Sequence, residues 1–238
     1  MTPPASKYGP LHALAAGAVL VYAVLSNGFA AFWHQFLHGL NMQLNEKTIL
    51  PLLVVQTLFF GGLFLVLWVS TLFGRARSPS APPDHTCRDR IRYVLISVLP
   101  ICLIALGLNW ASGEILSRLA DVDLSDQDLV KFLTSSSLSL RGKALLFSFL
   151  LIEAPLLEEL LFRGVVFGGF SKIMPVWGAM LLSGFLFAFV HVNASTLIPL
   201  WFLGIAFAWI YVRTGTLLAP MAVHFIFNAV NLAFCLCF

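Results

Sequence analysis

Four ionisable side chains stand inside a stretch that otherwise belongs in oil. The run LLFSFLLIEAPLLEELLFRGVVFGGF, residues 145–170, carries Glu153, Glu158, Glu159 and Arg163. An ionisable group at the centre of a transmembrane helix costs about 2.5–3.5 kcal/mol on insertion scales, so such groups face a polar interior or water and mark a site. Glu159 and Arg163 are spaced i, i+4 with the acid on the N-terminal side, the better orientation for a helical ion pair. That spacing predicts a structural pair that partly neutralises the cluster. Glu158 is offset by about 100° around the helix, so it need not share that partner and is left available for chemistry. Glu153 precedes Ala154-Pro155 and is expected to satisfy backbone groups freed by the proline. Two later apolar stretches each supply a histidine. His191 ends FLFAFVH, and His224 opens HFIFN, in which Asn228 falls one turn later on the same face.

A carboxylate and an imidazole that share a water form a general-base pair, while a second histidine and an asparagine can donate hydrogen bonds to a developing oxyanion. Amide hydrolysis needs this division of roles. No GxSxG nucleophile elbow is present, which favours direct attack by water. Two other chemistries remain open. Glu and His are ordinary ligands of catalytic zinc, although HExxH is absent. Buried carboxylates also serve ion or proton pathways in transporters, but no inverted repeat of the kind that marks many transporters is visible.

The elements that must position these residues follow from composition. Of 238 residues, 59% are hydrophobic and 11% charged, with 22 Phe and 6 Trp. Soluble domains carry about 25% charged residues, so soluble enzymes and nucleic-acid binders are excluded and no nucleic-acid partner is expected. The fold class is an all-α polytopic membrane protein, a single membrane domain over 1–238. Apolar runs long enough to cross a hydrocarbon core of about 30 Å occur at 11–32, 49–73, 93–111, 144–170, 173–190, 196–212 and 216–236, and an eighth span is allowed. The first run is not an obvious cleaved signal peptide, since it is long and only Lys7 precedes it. The loop 74–92 holds Arg75, Arg77, Arg88, Arg90 and Arg92, which makes it cytoplasmic and accounts for much of the net charge of +3. On that scheme 112–143 lies outside, with Ser125 capping a short interfacial helix or lid. At about 1.5 Å per residue, Glu158, His191 and His224 lie roughly 18, 25 and 12 Å from one membrane face, a spread that helix tilt can absorb.

Other features read as ordinary. His34 and His38 have chelating i, i+4 spacing, but Trp33 and Phe36 beside them favour an interfacial position. The sequon Asn193-Ala194-Ser195 lies between two spans with little room. The terminal Cys235-Leu236-Cys237-Phe238 fits a C-a-a-X signal formally, yet it continues an apolar helix. The four cysteines show no paired spacing.

Three motifs in order, Glu158-Glu159-x-x-x-Arg163-Gly164, Phe187-x-x-x-His191 and His224-x-x-x-Asn228, resemble the CAAX protease and bacteriocin-processing family of intramembrane endopeptidases, also called CPBP or Abi. The resemblance covers a catalytic core over 144–232; residues 1–143 contribute only spans. It implies an all-helical membrane core with a polar intramembrane cavity opening to one side, around which about 7–8 transmembrane helices, as counted above, would stand. It further implies that Glu158 activates water with help from His191, and that His224 and Asn228 stabilise the oxyanion. Glu159 and Arg163 would support the site, and Phe187 would pack beside it. It implies a glutamic protease without a metal cofactor, with zinc at the Glu/His cluster as the alternative. The expected partners are the lipid bilayer and a protein or peptide substrate, with its C-terminal segment one candidate for the cleaved region. The expected location is a bacterial plasma membrane. A non-proteolytic scaffold or bacteriocin-immunity protein, or an ion-coupled transporter, is the competing reading.

Overall fold

The computed structural model describes Gly62 and residues 86–120, 139–191 and 193–237. The expected spans at 11–32 and 49–73, the pair His34/His38, the Ser125 cap and most of the 74–92 loop lie outside the described residues. What is described is helical throughout, with no strand among those residues. The order is α1 Cys87–Ala120, α2 Leu140–Ser148, a π segment Phe149–Glu153, α3 Ala154–Glu159, a second π segment Leu160–Phe167, α4 Gly168–Phe170, α5 Val176–Phe189, α6 Leu197–Thr214 and α7 Leu218–Cys237. The pieces from α2 to α4 run on without a break, so they form one rod that widens into π register twice.

Local sequence sets where these helices begin and end. Thr86 and Asp89 cap α1 reciprocally: the Thr86 N–H donates to Asp89 Oδ2 at 3.1 Å, and the Asp89 N–H donates to Thr86 Oγ1 at 3.3 Å. Ser139 Oγ accepts from the Gly142 N–H at 3.2 Å and starts α2. Gly215 ends α6 at φ 65°, the left-handed conformation that a side chain resists, and its N–H bonds the Tyr211 carbonyl at 2.8 Å. Asn193 Oδ1 accepts from the Ser195 N–H at 3.0 Å, so the formal sequon is the tight turn leading into α6. Helix α1 is longer than the expected run over 93–111. Its 34 residues reach about 50 Å, and residues 112–120, expected beyond the span, continue it, with Arg118 paired to Glu114.

Among the described residues, two helices, Cys87–Arg118 and Leu197–Thr214, are long and apolar enough to cross a membrane. Their outward side chains are apolar as well, including Leu95, Leu99, Leu103 and Trp110 on α1 and Ile198 on α6. The core lies where the rod, α5, α6 and α7 meet: Leu160, Phe162, Phe187, Leu203, Phe207, Ile210 and Val223 are all nearly sealed. Helix α5 crosses α6 in backbone contact. A Cβ on Gly204 would lie 2.6 Å from Gly184 Cα, and one on Gly184 would lie 2.9 Å from the Ile205 nitrogen. Glycine at both positions is therefore what lets the two backbones touch.

Gly204→Ala should cost about 1–3 kcal/mol through overpacking and lower the melting temperature in detergent. Gly178→Ala is the matched control, since its added carbon meets only the flexible Met174 side chain at 3.6 Å. Equal melting of the two variants would show that the α5–α6 contact does not constrain the fold.

Candidate active site

Pro155 shapes the rod around the carboxylates. Proline lacks an N–H and its ring crowds the carbonyl four residues earlier, so an uninterrupted α register cannot pass through it. The chain widens instead into a π turn, in which the Ala154 N–H reaches back to the Phe149 carbonyl. Glu158 and Glu159 then occupy a short α stretch between the two π segments, and Arg163 stands in the second.

Glu159 is completely buried, and its carboxylate has two cationic or polar neighbours. Arg163 Nη1 lies 3.0 Å from Glu159 Oε1, and His224 Nδ1 lies 3.0 Å from the same oxygen. The arginine contact is an ion pair whose angle falls outside hydrogen-bond geometry, so Arg163 Nη1 and Nε have no hydrogen-bond partner. The guanidinium is held in other ways. Nη2 donates to the Gly204 carbonyl at 3.1 Å, and its carbon sits 4.8 Å from the Phe187 ring centroid and 5.1 Å from that of Phe207. Aromatic faces attract a desolvated cation. The i, i+4 pair expected from sequence is present, but Glu159 does more than neutralise Arg163, because it also orients His224.

His224 bridges both acids. Its Nδ1 faces Glu159, and its Nε2 lies 3.7 Å from Glu158 Oε2. That second distance suits an ion pair and exceeds a hydrogen bond. Neutral imidazole has one N–H and one bare nitrogen. If Nδ1 donates to Glu159, Nε2 is the nitrogen that faces Glu158. The ring is fixed by stacking on Phe207 at 4.7 Å and by the edge of Phe187 at 5.9 Å. Glu158 keeps a side-chain exposure of 17%, against 0% for Glu159. The two neighbouring acids are thus unequal: one is sealed and the other is accessible.

His191 lies just beyond α5, and its Nδ1 bonds the Phe187 carbonyl at 2.7 Å. A carbonyl only accepts, so Nδ1 carries the hydrogen and Nε2 of the neutral ring is a proton acceptor. Its ring rests 5.0 Å from that of Phe187, which also touches His224 and Arg163. Phe187 therefore links His191 to the cluster and is itself 1% exposed. Asn228 is tied elsewhere. Its Nδ2 donates to the Leu150 carbonyl at 3.0 Å, 78 residues away in sequence. That carbonyl is the one Pro155 leaves without a backbone donor, so the role expected of Glu153 falls to Asn228. The physical reason is that an ionised carboxylate only accepts, and a carbonyl needs a donor. Sequence reasoning missed two members of the cluster, Phe207 and the Gly204 carbonyl. Neither carries a signal in sequence, since one is an ordinary core aromatic and the other a backbone atom.

Among the described residues, no three His, Cys, Asp or Glu side chains converge as a metal site. Glu158 Oε2 and Nε2 of His224 lie 3.7 Å apart, whereas a catalytic zinc keeps three protein ligands.

Removing Arg163 would leave Glu159 charged and sealed. Arg163→Met should cost about 3–5 kcal/mol and reduce the folded yield. Adding Glu159→Gln in the same chain should return part of that loss, as read by thermal melting. Unchanged melting of Arg163→Met would show that the pair does not support the structure.

Comparison with known proteins finds a family over the same region. Residues 140–230 match the family described as type II CAAX prenyl endopeptidase Rce1-like, which takes in every site residue above. The chain is also 32% identical over 77 residues to a Bacillus subtilis (strain 168) protein named "Putative membrane peptidase YdiL", covering 32% of each chain. The match therefore spans about a third of that relative's length. No solved structure matches the chain.

Proposed function

We propose that the protein is a polytopic membrane protease that uses a glutamate-activated water, a reading supported by the match of residues 140–230 to the type II CAAX prenyl endopeptidase Rce1-like family. Its 7–8 helices would enclose a polar cavity within the bilayer, and its substrate would be a membrane-associated protein or peptide. The observation that carries the reading is the inequality of the two acids. His224 sits between a sealed Glu159 and an accessible Glu158, which separates an orienting carboxylate from a reacting one.

In the proposed reaction Glu158 takes a proton from water while the oxygen attacks the scissile carbonyl carbon. His191, with Nδ1 committed to the Phe187 carbonyl, offers Nε2 as a second acceptor for the same water. Negative charge develops on the carbonyl oxygen, and Nε2–H of a doubly protonated His224 donates to it. Glu159 orients the ring by accepting from Nδ1, and Arg163 pairs with Glu159. The carbon–nitrogen bond then breaks, and the proton held by Glu158 passes to the leaving nitrogen. Charge in the cluster balances, with two carboxylates facing the guanidinium and the imidazolium. The resemblance assigns the oxyanion to His224 and Asn228 together. Of these, His224 faces the carboxylates and is the donor proposed here.

Membranes from cells expressing the wild type or Glu158→Gln at matched levels would be mapped for peptide termini by mass spectrometry. Loss of a general base should reduce cleavage about 10²–10⁴-fold with unchanged melting, since Glu158 is not the buried acid. Identical maps, with both proteins folded and substrate present, would instead support a scaffold or immunity role. Glu158-dependent ion flux in liposomes without new termini would support a transporter.

No metal is required by this chemistry. Cleavage should persist after exhaustive treatment with EDTA, measured on the same peptide products. Activity lost to EDTA and restored by zinc would replace the glutamate mechanism with a metal-bound water.

A further inference from the structure

We infer that Phe207 is a positioning residue: its ring face holds the imidazole of His224 in the plane that points Nδ1 at Glu159 and Nε2 at Glu158. The inference rests on the proteolytic reading of that cluster.

Helix α6 reaches the site almost without polar side chains. From Leu197 to Ile210 it reads LIPLWFLGIAFAWI, in which two indole nitrogens are the only polar side-chain atoms. It contributes instead the Gly204 carbonyl, which accepts from Arg163 Nη2 at 3.1 Å. Phe207 follows three residues later on the same side of the helix. The ring is fully sealed, lies in the core cluster with Phe187 and Val223, and meets Phe187 edge-on at 6.2 Å.

A single hydrogen bond fixes one atom of an imidazole and leaves the ring free to swing about it. The contact of His224 Nδ1 with Glu159 at 3.0 Å is such a bond. Nε2, at 3.7 Å from Glu158 Oε2, lies beyond hydrogen-bond reach and adds no second tether. The remaining restraint is steric. The planes of His224 and Phe207 are 26° apart with centroids at 4.7 Å, so a swing would drive the imidazole edge into a face that close packing holds still. Phe187 also touches His224, but it is shared with His191 at 5.0 Å, and a change there would disturb both histidines. Phe207 is shared with Arg163, whose guanidinium carbon lies 5.1 Å from its centroid. Loss of the ring therefore has a structural effect beside the kinetic one, and the two must be read apart.

Phe207→Leu and Phe207→Met keep an apolar filling and remove the flat face; with two variants, failure of one to fold leaves the test intact. Phe207→Tyr keeps the face. Phe167→Leu is the control, since Phe167 is equally sealed but packs with Ala179, Ala208 and Tyr211 in a separate cluster. Melting temperature, and kcat and KM for the Glu158-dependent cleavage, would be measured for all four. Phe207→Leu and Phe207→Met should lower kcat about 10- to 100-fold with little change in KM, as a misplaced donor requires. Phe207→Tyr should stay within about threefold of wild type, because stacking survives. Phe167→Leu should lower melting with kcat unchanged. Full kcat in Phe207→Leu and Phe207→Met, or an equal kcat loss in Phe167→Leu, would overturn the positioning role. A folded Phe207→Tyr as slow as Phe207→Leu would do the same.

A readout without substrate lets the two readings fail separately. An imidazole held over an aromatic face has its carbon-bound protons shifted upfield in the NMR spectrum, and Phe207→Leu should remove that shift from the signals that His224→Gln identifies. Loss of the shift with no Glu158-dependent cleavage in wild type would keep the stacked ring and remove the protease. Glu158-dependent cleavage that is indifferent to Phe207 would keep the protease and remove the positioning role.

Discussion

A carboxylate with no exposure to solvent governs how this site is built. Glu159 cannot be sealed as an anion without compensation, and one group on its own rod and one from a distant part of the chain supply it. Arg163 comes from its own rod and His224 from α7, each 3.0 Å from Oε1. Arg163, equally buried, needs its own support, which comes from the Gly204 carbonyl and the faces of Phe187 and Phe207. A buried ion pair of this kind is weak evidence of net stability. Its value here is geometric: pairing one carboxylate oxygen brings the rod, α5, α6 and α7 to a common point.

The same constraint explains the glycines. Arg163 reaches the Gly204 carbonyl at the place where α5 lies directly on α6. A side chain on either Gly184 or Gly204 would push the helices apart and move that acceptor. Close packing of small residues is often read as helix association alone; here it also places an oxygen for a guanidinium.

Pro155 and the π turns set the other half of the geometry. A regular helix through residues 140–170 would leave a carbonyl unpaired at the proline. Widening the rod transfers the unpaired group to Leu150, where Asn228 meets it. Local backbone disorder in the hydrogen-bond ladder is thus converted into a tertiary bond. The cost of the π turns is met by the contact they permit, and π segments are frequent at functional sites for that reason.

Much of this was legible in the sequence, and particular residues show why. Charged side chains in an apolar run announce a site because the expense of burial is intrinsic to their chemistry, so Glu158, Glu159, Arg163 and His224 stood out, and i, i+4 spacing paired Glu159 with Arg163. The helices over 176–189, 197–214 and 218–237 followed the apolar runs to within a few residues, because hydropathy is a local property. Depth along each span was compatible with convergence but could not establish it. Only the tertiary structure decided that His224 faces both acids, that Phe187 carries His191 to the cluster, and that Asn228 caps a backbone carbonyl 78 residues away. Those contacts depend on how helices rotate and cross, and the rotation of the rod is itself changed by π turns that a wheel of 3.6 residues per turn does not contain. Residue type reveals which groups require a partner, and packing alone selects which partner they receive.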